Sequence, residues 1–149
     1  MTYNSTTVTL GASPDIEDAH RAVWSALGEQ RHLPTRILEL ARLRLAAMHR
    51  AEHEMALRSP WASGLSEQKS ASTLAGNWHR DKDFDAAEKA VLAFTEIYAQ
   101  GAEFITDSLA DDIKDHFGNA GLVCLIEALG FIDARIRLAL LFNRLQAND

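Results

Sequence analysis

The chain has 149 residues, a length that suits one domain with one hydrophobic core. A net charge of −6 and the absence of a basic cluster give no electrostatic drive toward nucleic acid or anionic membrane. A single cysteine, Cys124, excludes a disulfide within the chain and any two-thiol redox cycle in it.

Residues 1–12, MTYNSTTVTLGA, are Thr-rich and polar and read as a flexible N-terminal arm; they lack the basic-then-apolar order of a signal peptide. Helical signals follow without a convincing strand, so residues 13–149 read as one helical domain. Ser13-Pro14 has the form of an N-cap followed by proline in the first turn. Ile16, Ala19, Val23 and Leu27 then fall on one face, and Gly28 is a plausible stop. A second helix begins near Pro34-Thr35. Its apolar positions Ile37, Leu38, Ala41, Leu45 and Met48 repeat at helical spacing, and helical character continues to Arg58, where Ser59-Pro60 ends it.

Gly64 marks a turn, and Ser66 starts a short helix. HRDKDFD is a charged loop, and Asp85 with Glu88 makes a capping box for a helix carrying Val91, Phe94, Thr95 and Tyr98 on one face. A short helix over Ser108–Phe117 ends at Gly118, and Asn119 caps a long last helix from Ala120 to about Gln146. That helix is apolar on nearly all sides, which predicts the most buried element or a subunit interface. Glu127, Asp133, Arg135 and Arg137 interrupt it, which argues against a membrane span and makes cytoplasmic residence the default. The whole reads as an all-α, mostly antiparallel bundle of about six or seven helices.

The chemically suggestive stretch is HRAEHEMALR, residues 49–58. It contains H-x-x-E-H, and on a continuous helix His49 and His53 share a face with Glu52 beside them. That is the basis for a zinc-hydrolase alternative with His49, Glu52 and His53 at the metal. The bland reading is a pair of partly exposed histidines near a helix end.

Three stretches in the same order carry a family resemblance: LPTRILELARLRLAAMHRAEHEMALRSPWASGLSEQK, NWHRDKDFDAAEKAVLAFTEIYA and LADDIKDHFGNAGLVCLIEALGFIDARIRLAL. Together they resemble the carboxymuconolactone decarboxylase-like family, which includes the alkylhydroperoxidase D-type proteins. The resemblance spans about residues 33–142 and implies that family's antiparallel helical bundle, a homo-oligomer (trimer or hexamer), and a small-molecule partner. The family's redox cysteines fall on Ala51 and Glu54, so its thiol peroxidase chemistry is not expected. AEHEMALR is instead similar to the cysteine-free S-E-Y-E-W-x-x-H of another branch, with Glu52 and Glu54 matched, His53 replacing the tyrosine and Arg58 where the histidine stands.

What this implies is acid–base catalysis on a small organic acid or lactone without metal or organic cofactor. Glu39, His53 and Glu54 are the expected catalytic residues, and Arg58, Trp78 and Arg135 the substrate-binding ones. On one straight helix Glu39 and Glu54 would stand about 22 Å apart, so the proposal requires the backbone to double back near residue 50. The alternative in the same fold is a non-catalytic oligomeric ligand-binding protein. The bland readings are an exposed ion-pair ladder over Arg50, Glu54 and Arg58, a surface pair of Glu39 with Arg42, surface positions for His20, His32, His79 and His116, and packing roles for Trp24, Trp61 and Cys124.

Overall fold

The computed structural model of the chain describes residues 2–146 and, among them, six α-helices and no strand. These are α1 (Pro14–Glu29), α2 (Thr35–Met48), α3 (Glu52–Ala56), α4 (Glu67–Ala75), α5 (Ala86–Gln100) and α6 (Asp107–Gln146). Single 3-10 turns lie at Pro60–Ala62, Trp78–Arg80 and Ala102–Phe104. Residue 1 of the expected arm and residues 147–149 of the expected domain lie outside the described residues.

Of the caps read from sequence, those at Ser66 and Asp85 form, whereas Ser13 precedes α1 without a side-chain cap hydrogen bond. The Ser66 hydroxyl accepts from the Lys69 N–H at 3.1 Å and starts α4. At α5 the Glu88 N–H donates to Asp85 at 2.7 Å and the Asp85 N–H donates to Glu88 at 3.0 Å, a reciprocal box. Gly118 breaks α6 with φ 73, a left-handed value that suits a residue without Cβ, so the last two helical signals are two helical limbs joined at a kink.

The centre of the bundle is α2, packed against α4, α5 and α6. Ile37, Leu38, Leu40, Ala41, Leu43, Leu45 and Ala46 are all buried. The expectation that the last helix is the most buried element is therefore corrected. On α6, Leu125, Leu129, Ile132 and Ile136 face the core while Val123, Ile126, Leu141 and Leu145 remain exposed.

The first helix is also turned differently from its apolar pattern. Ile16 and Val23 are 53% and 42% exposed, and Leu27 alone of the expected face is buried. The inward face is set by Glu17, His20 and Trp24, because Trp24 stacks on Trp61 with ring centres 4.5 Å apart. The bulk of one indole outweighs three small or exposed aliphatic positions.

The second helix ends at Met48 rather than continuing to Arg58, which corrects the uninterrupted reading of that segment. The Arg50 N–H donates to the Ala47 carbonyl at 3.1 Å and the Ala51 N–H to the Ala46 carbonyl at 2.9 Å. With Arg50 left-handed at φ 55, this is a Schellman termination, and Ala51 tucks in as a buried residue behind it. The chain thus reverses near residue 50, with an arginine in the position glycine usually fills.

Candidate functional site

The reversal brings Glu39 of α2 and Glu54 of α3 to one guanidinium, that of Arg42. Arg42 sits one turn after Glu39 in the most buried helix, and its side chain is fully enclosed. Its Nε donates to Glu39 Oε2 at 3.1 Å, and one Nη2 hydrogen goes to Glu39 Oε1. The other Nη2 hydrogen goes to the Leu57 carbonyl at 2.7 Å. Nη1 donates to Glu54 Oε1 at 2.8 Å and to the Glu54 carbonyl at 3.0 Å. A guanidinium has five N–H donors, and all are spent within the protein. Burial works against the Arg42 charge, but the two carboxylates outweigh it and raise its pKa above the ordinary value.

Glu39 is equally occupied. Besides Arg42 it accepts the Ser59 hydroxyl at Oε2 and the Ser59 N–H at Oε1 at 3.3 Å. It has no exposure, and every lone pair has a partner. The reading of Glu39 and Arg42 as a surface pair is corrected: both stand at 0% exposure. The exposed ladder over Arg50, Glu54 and Arg58 is corrected as well, since Glu54 is 2% exposed and Arg58 pairs with Glu67 at 2.9 Å.

The segment read as a flexible arm is docked across this network. Ser5 donates its N–H to Glu54 Oε2 at 2.6 Å and its hydroxyl to Oε1. Arg135 of α6 holds the next carbonyls, with Nε on Ser5 O at 3.0 Å and Nη2 on Val8 O at 2.8 Å. Asn143 reads both backbone groups of Tyr3, at 2.7 Å and 2.8 Å, and Glu17 accepts the Leu10 N–H at 2.8 Å. Ser5 and Val8 are buried at 0% and 1% exposure, so the arm is a packed strap in this structure.

The remaining expected site residues do not join the hydrogen bonds of the two glutamates. His53 is exposed on α3 and lines the small space beside Glu54 without bonding to it. Arg58 is held by Glu67 and by the Met55 and Leu57 carbonyls. Trp78 is buried on another side of the bundle, where its indole N–H donates to Glu96 at 2.8 Å. Arg135 alone reaches the network, through Ser5.

The zinc alternative loses its premise. His49 caps the end of α2 and His53 belongs to α3, so the reversal between them removes the shared helix face. His49 Nε2 contacts Asp133 at 2.5 Å instead. Among the described residues no group of three or more His, Cys, Asp or Glu side chains is arranged to hold a metal ion.

Two spaces adjoin the network. Beside Glu54, under Tyr3 and Asn4, lies a void of about 20 Å³, room for about one water. On the other side of Ser5 a cavity of about 470 Å³ opens, inside the range of small-molecule sites, about 300–1,000 Å³. Its roof is the arm, with Ser5, Thr6, Thr7 and Thr9; α1 contributes Glu17, His20, Arg21 and Trp24, and α6 contributes Arg135.

Arg135 is 5% exposed and forms no ion pair among the described residues. Its Nη1 has no oxygen partner there; the nearest polar contact is His20 Nδ1 at 3.4 Å. Burial pushes its pKa below the usual arginine value, with Glu17 and Glu54 acting in the opposite direction. Glu17 is already committed to the Leu10 N–H and to Arg21 at 3.5 Å. The cavity walls therefore carry a surplus of positive charge in a chain whose net charge is −6.

Sequence reasoning missed Ser5, Ser59, Glu17, His20 and Trp24. Arg42 did leave a signal: it and Glu39 stand within residues 37–43, whose other members are all apolar, and an unpaired charge there is costly. His20, expected on the surface, is half-buried with its ring 5.5 Å from Phe131. Among the described residues no helix is long and apolar enough to cross a membrane. Comparison of the chain with models of protein families, with curated proteins and with solved structures finds no match.

Proposed function

We propose that this chain is a non-catalytic, ligand-binding member of the carboxymuconolactone decarboxylase-like class of helical bundles. It takes a small organic acid in the cavity beneath the N-terminal arm. The observation that carries this reading is Arg135: a guanidinium 5% exposed, outside any ion pair among the described residues, lining a cavity of about 470 Å³. A buried cation is stabilised by an anion it can desolvate with, and a carboxylate matches guanidinium geometry. The Glu39–Arg42–Glu54 group supports the reading from the other side. Its hydrogen bonds are consumed internally, which suits an anchor for the arm rather than a proton acceptor facing substrate.

Titration of the full chain with benzoate, acetate and succinate, followed by calorimetry, tests the proposal. Saturable binding of at least one acid, weakened tenfold or more by Arg135→Gln, with the acid recovered chemically unchanged, is the expected result. Absence of binding to all three, or equal binding by Arg135→Gln, overturns it.

A second reading keeps the enzyme. Two partners of Glu54, the Ser5 N–H and hydroxyl, belong to the arm, so displacement of residues 2–10 would free that carboxylate to act as a base. Conversion of an organic acid or lactone by the full chain, abolished in a folded Glu54→Gln variant, would favour it. Assembly into a homo-oligomer through the exposed Val23, Val123 and Ile126 belongs to the same proposal, as does cytoplasmic residence.

A further inference from the structure

The walls of the Arg135 cavity say more about the acid than its charge. Trp24 presents an indole that is stacked on Trp61 at an interplanar angle of 18° and braced by Phe131 at 6.1 Å. An aromatic surface held on two sides is preorganised and favours a flat, polarisable ligand over a flexible chain. The electrostatics restrict the number of charges. Arg135 supplies one guanidinium whose Nη1 meets no oxygen among the described residues and contacts only His20 Nδ1, at 3.4 Å, while Glu17, 8% exposed, stands at the same cavity and Glu54 lies behind Ser5. Arg21 at the same cavity is 70% exposed and pairs with Glu17 at 3.5 Å, so a second anionic group on the ligand would meet no second buried cation.

We infer that the cavity selects an aromatic monocarboxylate, with its carboxylate on Nη1 of Arg135 and its ring against Trp24. The inference rests on the organic-acid reading of the cavity and narrows it to one ligand class. The Thr6, Thr7 and Thr9 side chains of the roof supply hydroxyls for polar substituents on such a ring.

The test is a competition among four probes on the full chain: benzoate, acetate, succinate and inorganic phosphate, followed by calorimetry and tryptophan fluorescence. Benzoate is expected to bind on the order of tenfold more tightly than acetate, from ring contact with Trp24, and more tightly than succinate or phosphate. Trp24→Leu is expected to bring benzoate down to the acetate level while leaving acetate binding in place. Trp24→Phe retains a flat wall and is expected to recover most of the margin. Far-UV circular dichroism and melting temperature establish that both variants fold. Equal affinity for acetate and benzoate, a preference for succinate or phosphate, or an unchanged margin in folded Trp24→Leu overturns the aromatic assignment and leaves the organic-anion site standing. Failure of all four probes to bind overturns both.

Discussion

Ser5 and Glu54, 49 residues apart, are joined twice, by the serine N–H at 2.6 Å and by its hydroxyl. This pair ties the N-terminal strap to the carboxylate group at the reversal of the chain. Hydrogen bonds to a charged partner contribute more than neutral ones, and a buried carboxylate that loses one is left under-satisfied. Ser5→Ala is therefore expected to lower stability by about 1.5–3 kcal/mol in urea denaturation. It should also accelerate amide exchange at Ser5 and Leu10. A change below about 0.5 kcal/mol, the range typical of surface substitutions, would mean that the arm does not hold this position in solution.

Arg42 neutralises two carboxylates that would otherwise face each other without water. Removing one member of a buried ion group costs about 3–5 kcal/mol, because an uncompensated charge is left behind. Arg42→Met is expected to fall in that range. The double variant Arg42→Met/Glu39→Gln should recover part of the loss, since one of the stranded charges is gone, giving a coupling energy of about 0.5–3 kcal/mol. Additive losses would show that the two side chains do not share one electrostatic environment.

Arg50 occupies the left-handed position of the Schellman turn at φ 55, and its side chain is exposed. The Cβ strain of such a conformation is about 1–2 kcal/mol per residue, whereas glycine adopts it freely at a higher entropic cost in the unfolded chain. Arg50→Gly is thus expected to raise stability by up to about 1 kcal/mol, and Arg50→Val, β-branched, to lower it. Thermal melts of the two variants in one buffer should bracket the parent, and the opposite order would contradict the left-handed turn.

Asp133 links α6 to the end of α2. It accepts from Arg137 at 2.8 Å and contacts His49 at 2.5 Å. Burial raises its pKa, but the hydrogen bonds and charges of His49 and Arg137 outweigh burial and hold it below the ordinary 3.8. As pH falls, the unfolded chain takes up this proton first. The contribution of Asp133 to stability is therefore complete above 3.8 and drains away below it, as pH drops through the lowered folded value. Stability measured from pH 5 to pH 2 should fall less steeply in Asp133→Asn than in the parent. Parallel acid limbs would remove Asp133 from the account.

The sequence by itself determined the parts of this protein that depend on neighbours within about one helical turn. The capping box of Asp85 and Glu88, the Ser66 cap, the break at Gly118 and the all-helical class follow from short-range hydrogen bonds and from backbone freedom. The reversal near residue 50 was not legible in that way: periodicity carried the second helix on to Arg58, and the reversal entered only as the condition for Glu39 and Glu54 to meet. Only the tertiary structure decided what the reversal encloses. Glu39 and Glu54 meet across Arg42, whose contact with Glu54 spans 12 residues, and Arg135 reaches Ser5 across 130. No helical period encodes pairings at such separations. Nor does a period decide which face of α1 turns inward, since one indole stacked on Trp61 weighed more than the aliphatic stripe of Ile16, Ala19 and Val23. The candidate site accordingly lies where long-range partners converge, beneath a polar arm whose composition alone gave no sign of burial.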